Sequence, residues 1–413
     1  MNVLLVDAVD FPYGGAHSVH CSLLLKGLRE NNINASLVIP YGRKREAASA
    51  NRKKYGHFNG IPYVFVRYSR DIRKSLRFLD IYIGVVHTAF LIYRRKKKGK
   101  LDSVILGGIV DILRDFPIIA VCSIFRIPVY FWMVEKASLS GDFRGIVGRL
   151  NGWSQRLTEK YLPSFATGMI VISTNLQQHY LKYLPVSKVI ISPILVADIE
   201  QTAINRQSLE KTRQQIQQSL AGKRLLVYSG SFAEKDGIYF LIDAFDKIIK
   251  KFPEIVFVMT GKNTNNDVME EIKSYIKQKG LDKYIQLVGF VNSSELISYN
   301  MLADVLLVCR SSSAFANHGF PWKLGEYCMT ERPIVATLVS DIENYFVNDQ
   351  DLFIVEPDRP DAIADKVIGI FNHYADALEV AKRGKKKALS VFGYFEKARE
   401  LAAFMEMNNS DKN

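Results

Sequence analysis

The feature that most constrains this chain is a series of short, unbroken Val/Ile/Leu runs separated by helical patterns. In the first half the runs are Val3–Val6, Ala35–Ile39, Ile61–Val66, Ser103–Leu106, Val129–Val134 and Gly168–Ile172. Runs without polar alternation are what strands buried on both faces look like. Ser18–Arg29 and Phe78–Tyr93 have helical patterning, and strands alternating with helices predict a doubly wound α/β domain. The character changes over Ile199–Gly222, which is polar and rich in Gln and Lys and reads as a linker and a helix. Alternation restarts at Leu225. Strands are expected at Ile255–Met259, Ile285–Gly289, Val305–Cys309, Ile334–Ala336 and Leu352–Val355. Helices are expected at Asn266–Lys279, Ser294–Leu302 and Trp322–Cys328, and from Asp361 onward. A chain of 413 residues exceeds one ordinary core. The expected division is 1–196, a linker and helix over 197–222, and a second domain over 223–390.

Composition narrows the class. Hydrophobic residues make up 48%, which places the chain among globular proteins. The net charge of +13 favours an anionic partner. Cys21, Cys122, Cys309 and Cys328 lie in apolar stretches without C-x-x-C or metal-ligand spacing, so they read as reduced core residues of a cytosolic protein. Asp7 interrupts the N-terminal apolar run and no basic segment precedes it, so a signal peptide is not expected. The longest apolar stretch, Phe78–Tyr93, contains Asp80 and His87 and is too short to span a membrane. No zinc-knuckle or aromatic–basic pattern points to nucleic acid.

Open α/β sheets bind ligands beyond the carboxyl ends of their strands. Two such domains facing a central cleft would present their strand-to-helix loops to a common ligand. The first loop, Asp10–His17, contains Gly14 and Gly15 and opens a helix; it suits an anion or is a tight turn. Its counterpart, Ser229–Gly237, offers Gly230, a hydroxyl at Ser231 and a cation at Lys235, a set that suits a diphosphate. The segment His318–Thr337 contains Phe320, Pro321, Lys323 and Glu326. Pro321 sits where a helix starts. Lys323 and Glu326 are three apart and share one helix face. There a carboxylate can accept two ribose hydroxyls and a lysine can neutralise phosphate; a surface ion pair is the simpler alternative.

With these residues the chain resembles a family 4 glycosyltransferase of the GT-B fold, over nearly its whole length and most closely from Leu225 to Thr337. Glu326 and Arg332–Thr337 match the second half of that family's Glu-x7-Glu motif and the strand after it. Gly14–Gly15 and Gly230–Gly237 resemble its two glycine loops. Thr260–Lys262 and Val288–Val291 resemble further loops near the nucleotide, which brings in Gly261 and Val291. Phe392–Met405 resembles the helix that returns to the N-terminal domain. His318 stands where the first motif Glu is usual, Ser231 where an Arg is usual, and Glu135–Lys136 where an N-domain His is usual. The resemblance implies a retaining transferase that moves a sugar from a nucleotide diphosphate sugar to an acceptor glycan, without cofactor or metal. Glu135, His318 and Glu326 are the catalytic candidates. A silent sugar-nucleotide-binding subunit and a sugar-nucleotide epimerase of the same architecture are the alternatives.

Asp349-Gln-Asp351 lies away from every glycine loop and reads as a solvated turn. Tyr13, Trp132 and Trp322 are candidate stacking residues. The helix around Phe78–Tyr93 is apolar apart from Asp80, Gly84 and His87. Arg70, Arg73, Lys74 and Arg77 precede it and Arg94–Lys98 follow it. An apolar helix with basic ends suits an anionic membrane surface. The expectation is a peripheral protein at the cytoplasmic face of a membrane, with a lipid-linked acceptor in cell-surface polysaccharide (capsule) synthesis.

Overall fold

The computed structural model describes residues 1–43, 54–69, 77–140, 145–201, 206–220, 222–263 and 265–410. Arg70, Arg73 and Lys74 lie outside the described residues. The chain divides into two compact units. One is Met1–Leu195 together with Gly393–Asn413, and the other is Val196–Phe392.

The first unit is built on eight strands: β1 (Asn2–Val6), β2 (Asn34–Arg43), β3 (Tyr55–Phe58), β4 (Ile61–Ser69), β5 (Ser103–Leu106), β6 (Val129–Met133), β7 (Gly168–Val171) and β8 (Val189–Ile191). Their order is β3-β4-β2-β1-β5-β6-β7-β8. All pairs are parallel except β3 with β4. Leu4, Leu5 and Val6 have no exposed surface, because β1 is flanked by β2 and β5 and covered on both faces. The sequence gives no apolar run for β3, and β8 is only three residues long; neither strand was expected.

The second unit has six strands: β9 (Arg224–Gly230), β10 (Ile255–Gly261), β11 (Ile285–Gly289), β12 (Val305–Val308), β13 (Ile334–Thr337) and β14 (Phe353–Val355). All are parallel, in the order β11-β10-β9-β12-β13-β14. The core packs Leu226, Phe257 and Leu307 of the sheet against Leu241, Phe245 and Ile248 of the helix Ile238–Ile249. The expected α/β architecture of two Rossmann-like sheets is therefore present. In each unit the chain order reverses beside the first strand, between β1 and β5 and between β9 and β12. Such switch points open a crevice at the carboxyl ends of the strands.

The C-terminal helix differs from expectation. Tyr374–Phe392 is one helix and Tyr394–Ser410 another, separated at Gly393. Tyr394–Ser410 packs on the helix Ala16–Glu30, where Gly27 lets it approach: a Cβ there would meet Ala398 Cβ and the Tyr394 carbonyl oxygen, each at 2.6 Å.

The helix Arg77–Lys97 buries Val85, Ala89 and Ile92 and presents a second apolar face outward. Asp80 is buried and ion-paired with Arg67, and Gly84 lies against the Pro40 carbonyl of β2. Phe78, Leu79 and Phe90 are 71%, 56% and 58% exposed. The adjoining helix Ile112–Ile124 adds exposed Leu113, Phe116 and Ile124. Of the expected polar stripe, Asp80 and Gly84 therefore face the protein while His87 is exposed. Among the described residues, no helix is long and apolar enough to cross a membrane.

Candidate functional site

In the second unit the residues at the carboxyl ends of β9, β10 and β12 converge. Gly230 ends β9 beside Gly261 of β10. Gly261 has φ +104°, and a Cβ there would be driven into the Gly230 carbonyl oxygen, so this position requires glycine. A Cβ on Gly230 would collide with the Tyr228 hydroxyl and stand 2.8 Å from Lys323 Nζ. The ammonium of Lys323 is thus held directly over the glycine loop, 4.1 Å from the centre of the Tyr228 ring.

Asp236 anchors that arrangement. Its carboxylate accepts from the Ser231 hydroxyl (2.7 Å) and the Ala233 N–H (3.2 Å) and pairs with Lys323 Nζ at 3.4 Å. Burial by itself would raise this carboxyl, but the Lys323 ammonium and the Ser231 hydrogen bond outweigh it and hold it at about 2. Burial also lowers Lys323, against the pull of Asp236. Arg310, just beyond β12, is buried, donates to the Ala316 carbonyl at 3.2 Å and adds a further positive charge near Asp236.

Glu326 lies one helical turn beyond Lys323 on the helix Trp322–Cys328. Burial pushes its carboxyl up to about 7, with Lys323 opposing. The helix is fixed from below by Tyr327, whose hydroxyl accepts from the Ser229 N–H at 2.8 Å. Pro321 is the residue before the first helical turn. The Phe320 ring is buried against Tyr345 and Phe392, which leaves its backbone as the part able to meet a ligand. Lys235 stacks its ammonium 4.2 Å above the Phe315 ring. His318 ends a short helix, with Nδ1 2.8 Å from the Ala314 carbonyl oxygen. Val291 follows the edge strand β11, two strands away from β9. The structure therefore brings together Gly230, Ser231, Gly261, Lys323 and Glu326. Sequence reasoning missed Asp236 and Arg310. The five-residue spacing from Ser231 to Asp236 was a visible signal, whereas the pairing with Lys323 across 87 positions was not.

In the first unit, Gly14 is required by packing, since a Cβ would run into the Ser18 hydroxyl and the Asp10 carbonyl oxygen. Gly15, the N-cap of Ala16–Glu30, faces open space. Trp132 is buried in the core against His17 and His20, so it does not form a stacking platform. Tyr13 is half exposed and packs edge-on to Phe58 at 5.4 Å. Glu135 lies just past β6, and its charge reaches His17. Asp349 pairs with Lys366 at 2.8 Å and Asp351 accepts from the Val347 N–H, as a solvated turn does. All four cysteines are buried and none is in a disulfide.

Residues 223–373 match the family described as Glycosyl transferases group 1. A stretch of 75 residues is 32% identical to the alpha-monoglucosyldiacylglycerol synthase of Acholeplasma laidlawii, spanning 18% of this chain and 18% of that protein. The fold is similar to that of Anabaena HepE, solved in complex with UDP and glucose (TM-score 0.71, 16% identity, 98% of this chain and 99% of that one). It is equally similar to sucrose-phosphate synthase from Thermosynechococcus elongatus (TM-score 0.72, 14% identity, 99% of each chain). The expected resemblance to glycosyltransferases is thereby met over residues 223–373, and the expected GT-B fold over the whole chain.

Proposed function

We propose, from the group 1 glycosyltransferase match over residues 223–373 and the GT-B fold, that this protein transfers a sugar from a nucleoside diphosphate sugar to a hydroxyl of a lipid-linked acceptor. The observation that carries the reading is the Lys323 ammonium poised over Gly230 with Glu326 one turn away. Lys323 and the loop N–H groups beyond Gly230 meet the diphosphate, where negative charge grows as the glycosidic bond breaks. Glu326 accepts the ribose hydroxyls. The second unit thus holds the donor, through Gly230, Ser231, Gly261, Pro321, Lys323 and Glu326, with Lys235 and Val291 at the margin. His318 stands on the sugar side, and the first unit, with Gly14, Gly15 and Glu135, receives the acceptor. The transfer is metal-independent and retains anomeric configuration.

The apolar face on Arg77–Lys97 and Ile112–Ile124 supports attachment to an anionic membrane surface. Burying Phe78, Leu79 and Phe90 in the interface leaves the exposed Arg94, Lys97 and Lys98 of the Arg94–Lys98 run at the level of the headgroups, while Arg95 donates to the Ser36 hydroxyl. Such a protein works peripherally at the cytoplasmic face, on an acceptor of a cell-surface polysaccharide such as capsule. Incubation with UDP-glucose, and with other UDP-, GDP- and dTDP-sugars, in the presence of a membrane lipid extract tests the activity. Radiolabelled sugar entering the lipid phase supports it. Release of a free sugar-nucleotide isomer instead would point to an epimerase.

A further inference from the structure

Asp236 is the charged group of the second unit's site to which the donor reading gives no part. It ends the short turn Glu234–Asp236, between β9 and the helix Ile238–Ile249, and its side chain is 5% exposed. Gly237 behind it has φ +58°, and a Cβ there would stand 3.3 Å from the Cys309 carbonyl oxygen, so the turn is folded closely against the end of β12. An ionised carboxylate only accepts hydrogen bonds, so the Ser231 hydroxyl, at 2.7 Å, donates to it. The hydroxyl proton therefore points inward, at Asp236. The Ala233 N–H, at 3.2 Å, closes the same loop. On its other oxygen the carboxylate meets Lys323 Nζ at 3.4 Å, across the ring of Tyr228.

We propose that Asp236 is the positioning residue for the donor's diphosphate: it keeps Lys323 an ammonium over Gly230 and turns the Ser231 hydroxyl inward, so that the cation at the end of β9 comes from the helix Trp322–Cys328. The inference rests on the donor reading above and lies wholly within the second unit.

The groups facing Lys323 fit this role. They are Asp236 in the turn, Arg310 and Cys309 at the end of β12, Tyr228 on β9 and Glu326 on its own helix. Burial lowers Lys323, Asp236 opposes that, and Arg310 adds to the lowering. Burial pushes the Cys309 thiol up to about 12 and the Tyr228 phenol well up, so neither carries charge at neutral pH. The Glu326 carboxyl ionises near 7, whereas Asp236, at about 2, is charged throughout. Removing the Asp236 charge leaves burial and Arg310, which both disfavour the ammonium. Lys323 then loses its proton at lower pH, and affinity for an anionic diphosphate falls with it.

The test is calorimetric titration of the full chain with UDP-glucose, GDP-glucose and dTDP-glucose. The readout is the ratio of the variant's Kd to that of wild type, in which ionisation of the nucleobase is common to both. Asp236→Asn keeps an acceptor oxygen for Ser231 and Ala233, and its ratio should rise about tenfold between about pH 7 and pH 9. In Lys323→Arg/Asp236→Asn the ratio should not rise, because a guanidinium stays protonated. A structural part for Asp236 would weaken binding equally at every pH. A ratio for Asp236→Asn that does not change with pH would therefore overturn the proposal and leave the donor reading standing. If Asp236→Asn melts below the assay temperature, Asp236→Glu carries the test. It keeps the charge, so its ratio should stay level with pH, and a tenfold rise would overturn the proposal. A folded wild type that binds none of the three sugar nucleotides would overturn the donor reading and this inference together.

Discussion

Glu326→Gln separates the stability of the second unit from its ligand recognition. The Glu326 carboxyl sits at about 7 in the folded protein against 4.5 in the open chain, chiefly through burial. The folded state therefore binds the extra proton, and the carboxyl's contribution to stability falls as pH rises from about 4.5 to about 7. Above pH 7 the full cost is present, and the difference corresponds to about 3 kcal/mol. Glutamine keeps the shape and removes the charge. At pH 8 the variant should melt higher than wild type by roughly 6–12 °C, given about 2–4 °C per kcal/mol for a unit of this size. At pH 5 most of that gap should close. The same change removes the charged acceptor proposed for the ribose and should weaken nucleoside diphosphate binding by about 1–3 kcal/mol. Differential scanning calorimetry at both pH values, with a titration of UDP at pH 8, measures all three quantities. A variant that is no more stable than wild type at pH 8, or equally shifted at both pH values, would refute the reasoning.

Lys323→Met leaves the buried Asp236 carboxylate without its cation and should cost about 3–5 kcal/mol, most of it regained by adding Asp236→Asn; urea midpoints that match wild type would contradict the pairing. Gly261→Ala forces a Cβ onto the Gly230 carbonyl at a positive φ and should cost more than about 2 kcal/mol; an unshifted thermal transition would show that β9 and β10 part easily there. Replacing Arg94–Lys98 with glutamine should reduce flotation with vesicles of 30% phosphatidylglycerol while leaving UDP binding unchanged. Identical partitioning of wild type and variant would remove the membrane surface from the account.

The parallel strands were legible because burial on both faces writes itself as an unbroken apolar run. β1, β5 and β11 begin and end within a residue or two of the runs that predict them, and β9 begins one residue before the expected Leu225. β3 was not legible, because an antiparallel edge strand buries one side at most, and Tyr55–Phe58 carries no such run. The orientation of Arg77–Lys97 was not legible either: the pattern shows where the apolar residues are but not that Arg67 of β4 draws Asp80 inward. In the site, Lys323 and Glu326 were readable from helical spacing, since three residues apart means one face. Asp236 was not, because its partner Lys323 is brought near only by the fold. Local sequence made Lys235 the natural phosphate cation, whereas the fold places Lys323 over the glycine at the end of β9 and turns Lys235 onto Phe315.

The central claim is that the second unit holds a nucleoside diphosphate sugar between Gly230, Lys323 and Glu326. A thermal-shift titration of the full chain with UDP-, GDP- and dTDP-sugars tests it directly, because a ligand at 100 times its Kd stabilises by about 2.7 kcal/mol. The account predicts that one nucleotide class raises the melting temperature of wild type and that Lys323→Met/Asp236→Asn abolishes the rise. A chain that stays folded and is stabilised by none of them, or a double variant that responds as wild type does, would contradict it.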